Sequence, residues 1–158
     1  MTYGLENQAK FVCRDLSEDD FRWRSSETNN PCIGWYLGHV IVFLDFIMNF
    51  VLFDKGYELP DYYREHFHMN TDGDLPDEIS SKELFIKFKE INASLVEEIL
   101  KKESSWFNEF PKDVSYFPPN WQNKNNGKLL VLHFNHCFSH LGQILEIRRA
   151  LGKDTWGF

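Results

Sequence analysis

Apolar residues recur at helical spacing in four stretches of the chain, and no stretch alternates as a strand would. The first stretch precedes Ser17, which is the expected N-cap of one short extra turn. The third follows Ser80 and Glu83, which form a predicted capping box. These two stripes consist of Leu5, Ala9, Val12 and Leu16, and of Leu84, Phe88, Ile91, Leu95 and Ile99. The pattern predicts an all-α fold.

The second stretch is apolar almost all the way round. Asn30 is its expected N-cap, and Pro31 occupies the first helical position, where a missing N–H group costs nothing. Lys55 and Gly56 are expected to end the helix, because a cation suits its negative end and glycine suits a left-handed stop. The sequence therefore predicts one long core helix between these signals.

Residues 33–53 are also long enough to cross a bilayer. Asp45 lies near the middle, however, and would cost roughly 2.5–3.5 kcal/mol inside a membrane. On a helical wheel, one side carries Gly34, Gly38, Asp45 and Asn49, and the other carries Trp35, His39, Phe43, Phe46 and Phe50. Small residues permit close packing and aromatic residues fill a core, so a buried helix is favoured over a membrane span.

The fourth stretch begins near Asn126 and Gly127 and ends with Arg148, Arg149 and Gly152, which suit a helix C-terminus. Two connections are long, roughly residues 57–79 and 104–125. The first of them can cross the length of a bundle. Such a crossover between the second and third helices allows parallel neighbours in a four-helix bundle.

Composition narrows the class of protein. The 158 residues predict a single domain, 1–158, and the net charge of −7 argues against nucleic acid and anionic membranes as partners. An aromatic content of 16% excludes intrinsic disorder. Three widely spaced cysteines do not form a disulfide framework, and no secretory signal is visible at the N-terminus. A cytoplasmic protein is expected.

Three of the six histidines fall on the fourth helix, at positions 133, 136 and 140. His133 and His140 are roughly 10 Å apart along the axis, too far to share one ion. The usable pairs are His136 with His140, which has the spacing of helical zinc ligands, or His133 with His136. His39, among aromatic residues on the second helix, is the candidate third ligand. The alternative is that these histidines are packed or solvated without a metal.

The remaining histidines and Cys137 are weaker candidates for metal ligands. His66 and His68 lie in the first long connection and are expected at the surface or in a lid, with a smaller chance of ligation. Cys137 lies some 100° from His136 on the wheel and is expected to be packed.

The segments PCIGWYLGHV and HFNHCFSHLGQILEIRRALGKD resemble the two signatures of the DinB-like (DinB/YfiT) superfamily, namely Trp-x-x-Gly-His and His-x-x-x-His-x-Gly-Gln. The resemblance covers the whole chain and implies a four-helix bundle of up-down-down-up connectivity, commonly dimeric. It also implies a divalent metal ion held by His39, His136 and His140. His133 matches no ligand position. Gln143 falls on the Gly-Gln pair and is expected to be structural, and Leu141 replaces an arginine found in many relatives.

The resemblance implies a metal-dependent transferase that acts with a small thiol or on a small electrophile, or a hydrolase. Three neutral imidazoles leave a position open on the metal, where a thiol would ionise. Zinc or nickel is expected first, with iron or manganese also accepted by imidazole. Trp35, Tyr36 and Phe43 are expected to line an apolar pocket, and a general base can be sought only by residue type among Tyr62, Tyr63, Glu65, His66 and His68. The competing hypothesis is a noncatalytic, dimeric bundle stapled by the metal.

Overall fold

The computed structural model describes residues 2–155, and every regular element in that range is helical. The α-helices are α1 (Thr2–Val12), α2 (Glu18–Arg22), α3 (Ile33–Leu44), α4 (Asp61–Phe67), α5 (Ser81–Leu100) and α6 (Asn126–Ala150). A π-helical segment, Asp45–Leu52, continues α3, and a 3₁₀ turn, Ser104–Asn108, precedes α6. The predicted all-α class is confirmed.

The predicted helix starts are confirmed at α2 and α6 and partly at α5. Ser17 caps α2 in a full capping box, and Asn125 caps α6. At α5 the Glu83 N–H donates to the Ser80 hydroxyl at 3.1 Å. The carboxylate of Glu83 accepts hydrogen bonds from the hydroxyls of Tyr62 and Tyr63 instead of completing the box.

The predicted start of the core helix at Asn30 and Pro31 is wrong by two residues. Cys32 is the N-cap of α3, and its Sγ accepts the Trp35 N–H at 3.3 Å. The Cys32 N–H itself donates to the carbonyl of Gly73 at 2.9 Å. The carbonyl of Asn30 accepts from the guanidinium of Arg24 at 3.0 Å. These tertiary hydrogen bonds hold the preceding residues outside the helix.

The end of the core helix also differs from the prediction, because helical structure stops at Leu52 rather than at Lys55 and Gly56. Gly56 does adopt a left-handed conformation, with φ of 81°. The buried carboxylate of Asp45 accepts the backbone N–H groups of Glu58 and Leu59, both at 3.0 Å. It thereby fixes the chain that leaves the helix.

The long connection between α3 and α5 is not a plain loop, because it contains α4, which the sequence did not predict. This helix and the residues after it pack against the small side of α3. A Cβ atom on Gly38 would lie 2.4 Å from the ring of Phe67, and one on Gly34 would lie 2.6 Å from Leu75. The two glycines therefore permit the close approach that their position on the wheel suggested.

Four helices contribute most of the core. α3 packs against both α5 and α6, and α1 packs against the same two helices. Arg148 of α6 is fully buried, and its guanidinium donates to the carbonyls of Arg14 and Asp154 at 2.6 and 2.8 Å. It also pairs with Asp15 at 3.0 Å. Arg148 thus ties the ends of α1 and α6 together, beyond the predicted effect on the helix dipole.

The continuous helix Ile33–Leu52 is apolar and long enough to cross a membrane by length and composition. Within the protein, 83% of its most apolar window is buried. This burial is that of a core helix and agrees with the interpretation favoured from the sequence.

Replacing Gly38 by alanine should destabilise the protein by about 1–3 kcal/mol, because the new methyl group would force the ring of Phe67 away from α3. Urea unfolding followed by circular dichroism measures the change. Gly142→Ala is the control, since a Cβ atom at this α6 position meets nothing within 4 Å. We expect the control to gain roughly 0.5–1 kcal/mol. Equal stabilities of the two variants would contradict the packing described.

Candidate metal centre

Three histidines converge where α3 faces α6. His39 lies on α3, and His136 and His140 lie one turn apart on α6. The Nε2 atom of His136 is 3.3 Å from Nε2 of His39 and 3.0 Å from Nε2 of His140. The donor atoms of all three residues lie within 4.8 Å of one another. These are the residues proposed as ligands from the sequence, and together they could hold a metal ion.

Hydrogen bonds on the outer ring nitrogens orient two of the three imidazoles. The Nδ1 atom of His39 lies 2.7 Å from the carbonyl oxygen of Phe67, and Nδ1 of His140 lies 2.5 Å from Oε1 of Gln143. Because both oxygens act as acceptors, each Nδ1 carries the hydrogen. In a neutral ring, Nε2 then presents a lone pair toward His136.

His136 cannot satisfy both of these lone pairs. Its Nε2 atom carries at most one hydrogen, so at least one lone pair has no donor from within the cluster. A cation bound between the three nitrogens would satisfy all of them. Two nitrogens bound to one tetrahedral ion at 2.0–2.1 Å lie about 3.3 Å apart, close to the two spacings between His136 and its neighbours. The donor set fits a divalent metal.

Burial keeps these imidazoles neutral, the form in which histidine binds metals. It lowers the pKa of His39 from 6.5 to about 4, against the opposing effect of the Phe67 hydrogen bond. Burial and the two neighbouring histidines also lower the pKa of His136 to about 4. The pKa of His140 is lowered by burial as well, although the hydrogen bond with Gln143 raises it.

Aromatic rings enclose the three histidines. The indole of Trp35 stacks on His39 with a centroid distance of 4.8 Å and an angle of 6°. Phe43 lies 4.1 Å from His136, and Tyr36 lies 5.5 Å from His140. The three residues predicted to line a pocket thus pack directly on the imidazole rings and restrict their rotation.

The other histidines lie outside the cluster. His133 is fully buried against Phe43, with Nε2 at 3.6 Å from Sγ of Cys137 and Nδ1 without a partner. His133 is therefore packed in the core, and buried Cys137 is also packed, as its position on the wheel predicted. His66 belongs to α4, and exposed His68 is the C-cap of that helix.

The sequence analysis missed two groups that hydrogen-bond to the clustered histidines. Gln143, expected to be structural, hydrogen-bonds to His140. Its position three residues after His140, on the same face of the helix, could have indicated this contact from the sequence. Nothing in the sequence indicated the contact with the Phe67 carbonyl, because this backbone group reaches His39 only through tertiary packing. Gln143 and Tyr36 also line a cleft of about 260 Å³ together with Trp23 and Arg24.

No protein-family model matches the chain, and no curated protein matches it either. The resemblance to the DinB-like superfamily therefore stays a prediction that depends on the two sequence segments.

The metal-free protein should lose stability between pH 7.5 and pH 5.5. Below pH 6.5 the unfolded chain takes up protons at His39, His133 and His136, whereas the folded chain holds their pKa values at about 4, 3 and 4. The unfolded state then binds more protons, so the free energy of unfolding falls with falling pH, by roughly 1 kcal/mol per histidine at pH 5.5. Urea titrations of chelator-treated protein measure it. His140, whose pKa is also lowered, adds to the fall, so His133→Leu should reduce it by about a quarter to a third. An unchanged pH dependence in that variant would contradict the lowered pKa of His133.

Proposed function

We propose that the chain is a DinB-like four-helix bundle with up-down-down-up connectivity. Contacts between α3 and α6 support opposite directions for these helices. Tyr36, near the start of α3, meets His140, whereas Phe43, near its end, meets the earlier residue His133.

Two further contacts support the remaining directions. Gly34 at the start of α3 meets Leu75, shortly before α5, and Lys55 beyond the end of the π-helical segment pairs with Glu98 near the end of α5 at 2.9 Å. Both contacts support a common direction for α3 and α5. The contact of Arg148 with the residues after α1 supports a common direction for α1 and α6 as well. α4 belongs to the crossover that this connectivity requires.

The proposed activity is transfer involving a small thiol or a small electrophile, with a divalent metal held by His39, His136 and His140. The observation that carries it is the convergence of three nitrogen donors without a fourth histidine, cysteine or carboxylate in the same cluster among residues 2–155. A bound metal would supply Lewis acidity and lower the pKa of a thiol at its open position. His136 and His140 are partly exposed, which supports access from solvent.

The protein's own groups would position the metal and exclude water from it. The Phe67 carbonyl and the Gln143 amide would hold the rings of His39 and His140. Trp35 stacks on His39, and Phe43 packs against His136. The cleft beside Tyr36 and Gln143 combines aromatic, amide and charged side chains, which suits a small polar substrate. Zinc or nickel is proposed first, with iron and manganese as further candidates.

The second candidate is a noncatalytic bundle in which the metal staples α3 to α6. The ligands come from both helices, so a bound metal would stabilise the fold in either case. The two candidates differ at the fourth coordination position, which a staple would fill with a protein group and an enzyme would leave accessible. A homodimer and a cytoplasmic location remain predictions under both candidate functions.

Purified without an affinity tag, the protein should contain about one divalent metal ion per chain after dialysis against zinc or nickel. His39→Ala, His136→Ala and His140→Ala should each lower the metal affinity by at least about tenfold, because each removes one of three ligands. Elemental analysis and competition with a chromophoric chelator measure both quantities.

His133→Ala is the matched control for this experiment, since His133 lies on the same helix and is more deeply buried than His136. It should retain the metal despite a loss of stability. Retention in His136→Ala together with loss in His133→Ala would overturn the ligand assignment. Metal below about 0.2 per chain in the unaltered protein, even after zinc or nickel is added, would overturn both candidate functions.

The open position can be tested with cobalt as a spectroscopic substitute. Adding 2-mercaptoethanol to the Co²⁺-loaded protein should change its visible spectrum, because the thiol has access to the ion in the enzyme hypothesis. Methanol at the same concentration is the control and should leave the spectrum unchanged. A spectrum insensitive to every small thiol tested would favour the staple over the transferase.

A further inference from the structure

A second site of different chemistry lies at the other half of α6. Two adjoining depressions of about 470 and 410 Å³ share Phe107, Gly127 and Val131 and run between the end of α5 and the start of α6. We call them the α5–α6 groove. Leu100 and Phe134 line its inner part, and two lysines, Lys124 and Lys128, line only its outer end. Neither depression includes any of the three clustered histidines.

The described part of α1 does not extend over the groove. α1 packs beside both α5 and α6, and its end is fixed near Arg148. Counting back from Arg14 at equal rise, its first residue reaches only about the level of His136 on α6. On α6, Val131 lies before that level, and Leu100 lies at the end of α5. Leu100 and Val131 are 79% and 48% exposed.

The distribution of charge defines the ligand. Neither the Lys124 nor the Lys128 ammonium pairs with a carboxylate in the part of the chain that the structure describes. Lys128 lies in the first turn of α6 and Lys124 just before its N-cap, where the helix dipole adds positive potential. Asn108 and Asn125 also line the lysine end, whereas the inner depression is lined by apolar residues and extends about 9 Å along the axis from Lys128 to Phe134. One end of the groove thus suits an anionic group and the remainder suits a hydrocarbon chain.

We propose that the α5–α6 groove binds a free medium-chain carboxylate, with the carboxylate between Lys124 and Lys128 and the chain along Val131 toward Phe134. The site is separate from the candidate metal centre, so the proposal does not depend on the proposed function. Occupation would remove the exposed apolar surface of the groove, including Leu100 and Val131, from water.

Calorimetric titration with sodium decanoate tests the proposal, with decyltrimethylammonium as the control of equal chain length and opposite charge. Decanoate should bind at one site per chain and at least about tenfold more tightly than the ammonium compound. Combined Lys124→Glu and Lys128→Glu replacement should remove that preference. Lys89→Glu, an exposed α5 position outside the groove, should leave it intact.

Val131→Glu should abolish decanoate binding, whereas Ile86→Glu should not, because Ile86 is equally exposed, at 46%, but lies outside the groove. Circular dichroism and urea unfolding would establish that both variants are folded. Equal affinity for the two head groups, or equal losses in Val131→Glu and Ile86→Glu, would overturn the proposal. Binding only to anionic vesicles, or a dimer that Val131→Glu alone dissociates, would overturn it in favour of a membrane or self-association surface.

Discussion

The hydrogen bond between His39 and the Phe67 carbonyl depends on the packing of α4 against α3, and the candidate metal centre depends on that bond. The carbonyl can reach Nδ1 of His39 only because Gly38 has no side chain to hold the Phe67 ring away. The same contact fixes the tautomer, so the lone pair of Nε2 points to α6. A backbone oxygen is a good choice for this task because it cannot donate a hydrogen and cannot rotate away.

Hydrogen bonds also fix the rest of the crossover, so the contact between Phe67 and His39 is kept in place. Arg22 donates to the carbonyls of Leu75 and Ile79, and Arg24 donates to that of Asp72. At the other end of the crossover, Asp45 binds the backbone after the π-helical segment. A chain held at both ends loses little further entropy when α4 packs on α3. The crossover therefore acts as a rigid support for His39.

The parts of this structure that sequence could predict are those set by local spacing. The i, i+4 relation of His136 and His140 follows from helix geometry, and His39 was selected because it lies among aromatic residues on a core helix. The Phe67 contact and the hydrogen bond from Cys32 to Gly73 could not be predicted, since each joins residues far apart in sequence. The α4 helix was missed as well. Asn30 and Pro31 carried good local signals for a helix start, and tertiary hydrogen bonds to Arg24 and Gly73 overruled them.

The cluster of His39, His136 and His140 gains little stability from its own hydrogen bonds, which favours a role in binding over a role in folding. Replacing a histidine by an apolar residue would remove a buried polar group, and the hydrogen available on His136 cannot serve both neighbouring lone pairs. His133 is also buried, and its Nδ1 atom has no hydrogen-bond partner, which is unfavourable. Three oriented and neutral imidazoles gain most when a cation binds between them, so a geometry that satisfies the histidines poorly among themselves favours metal binding. Aromatic packing then holds the donors in place, and whether the last coordination position admits a thiol decides between a transferase and a staple.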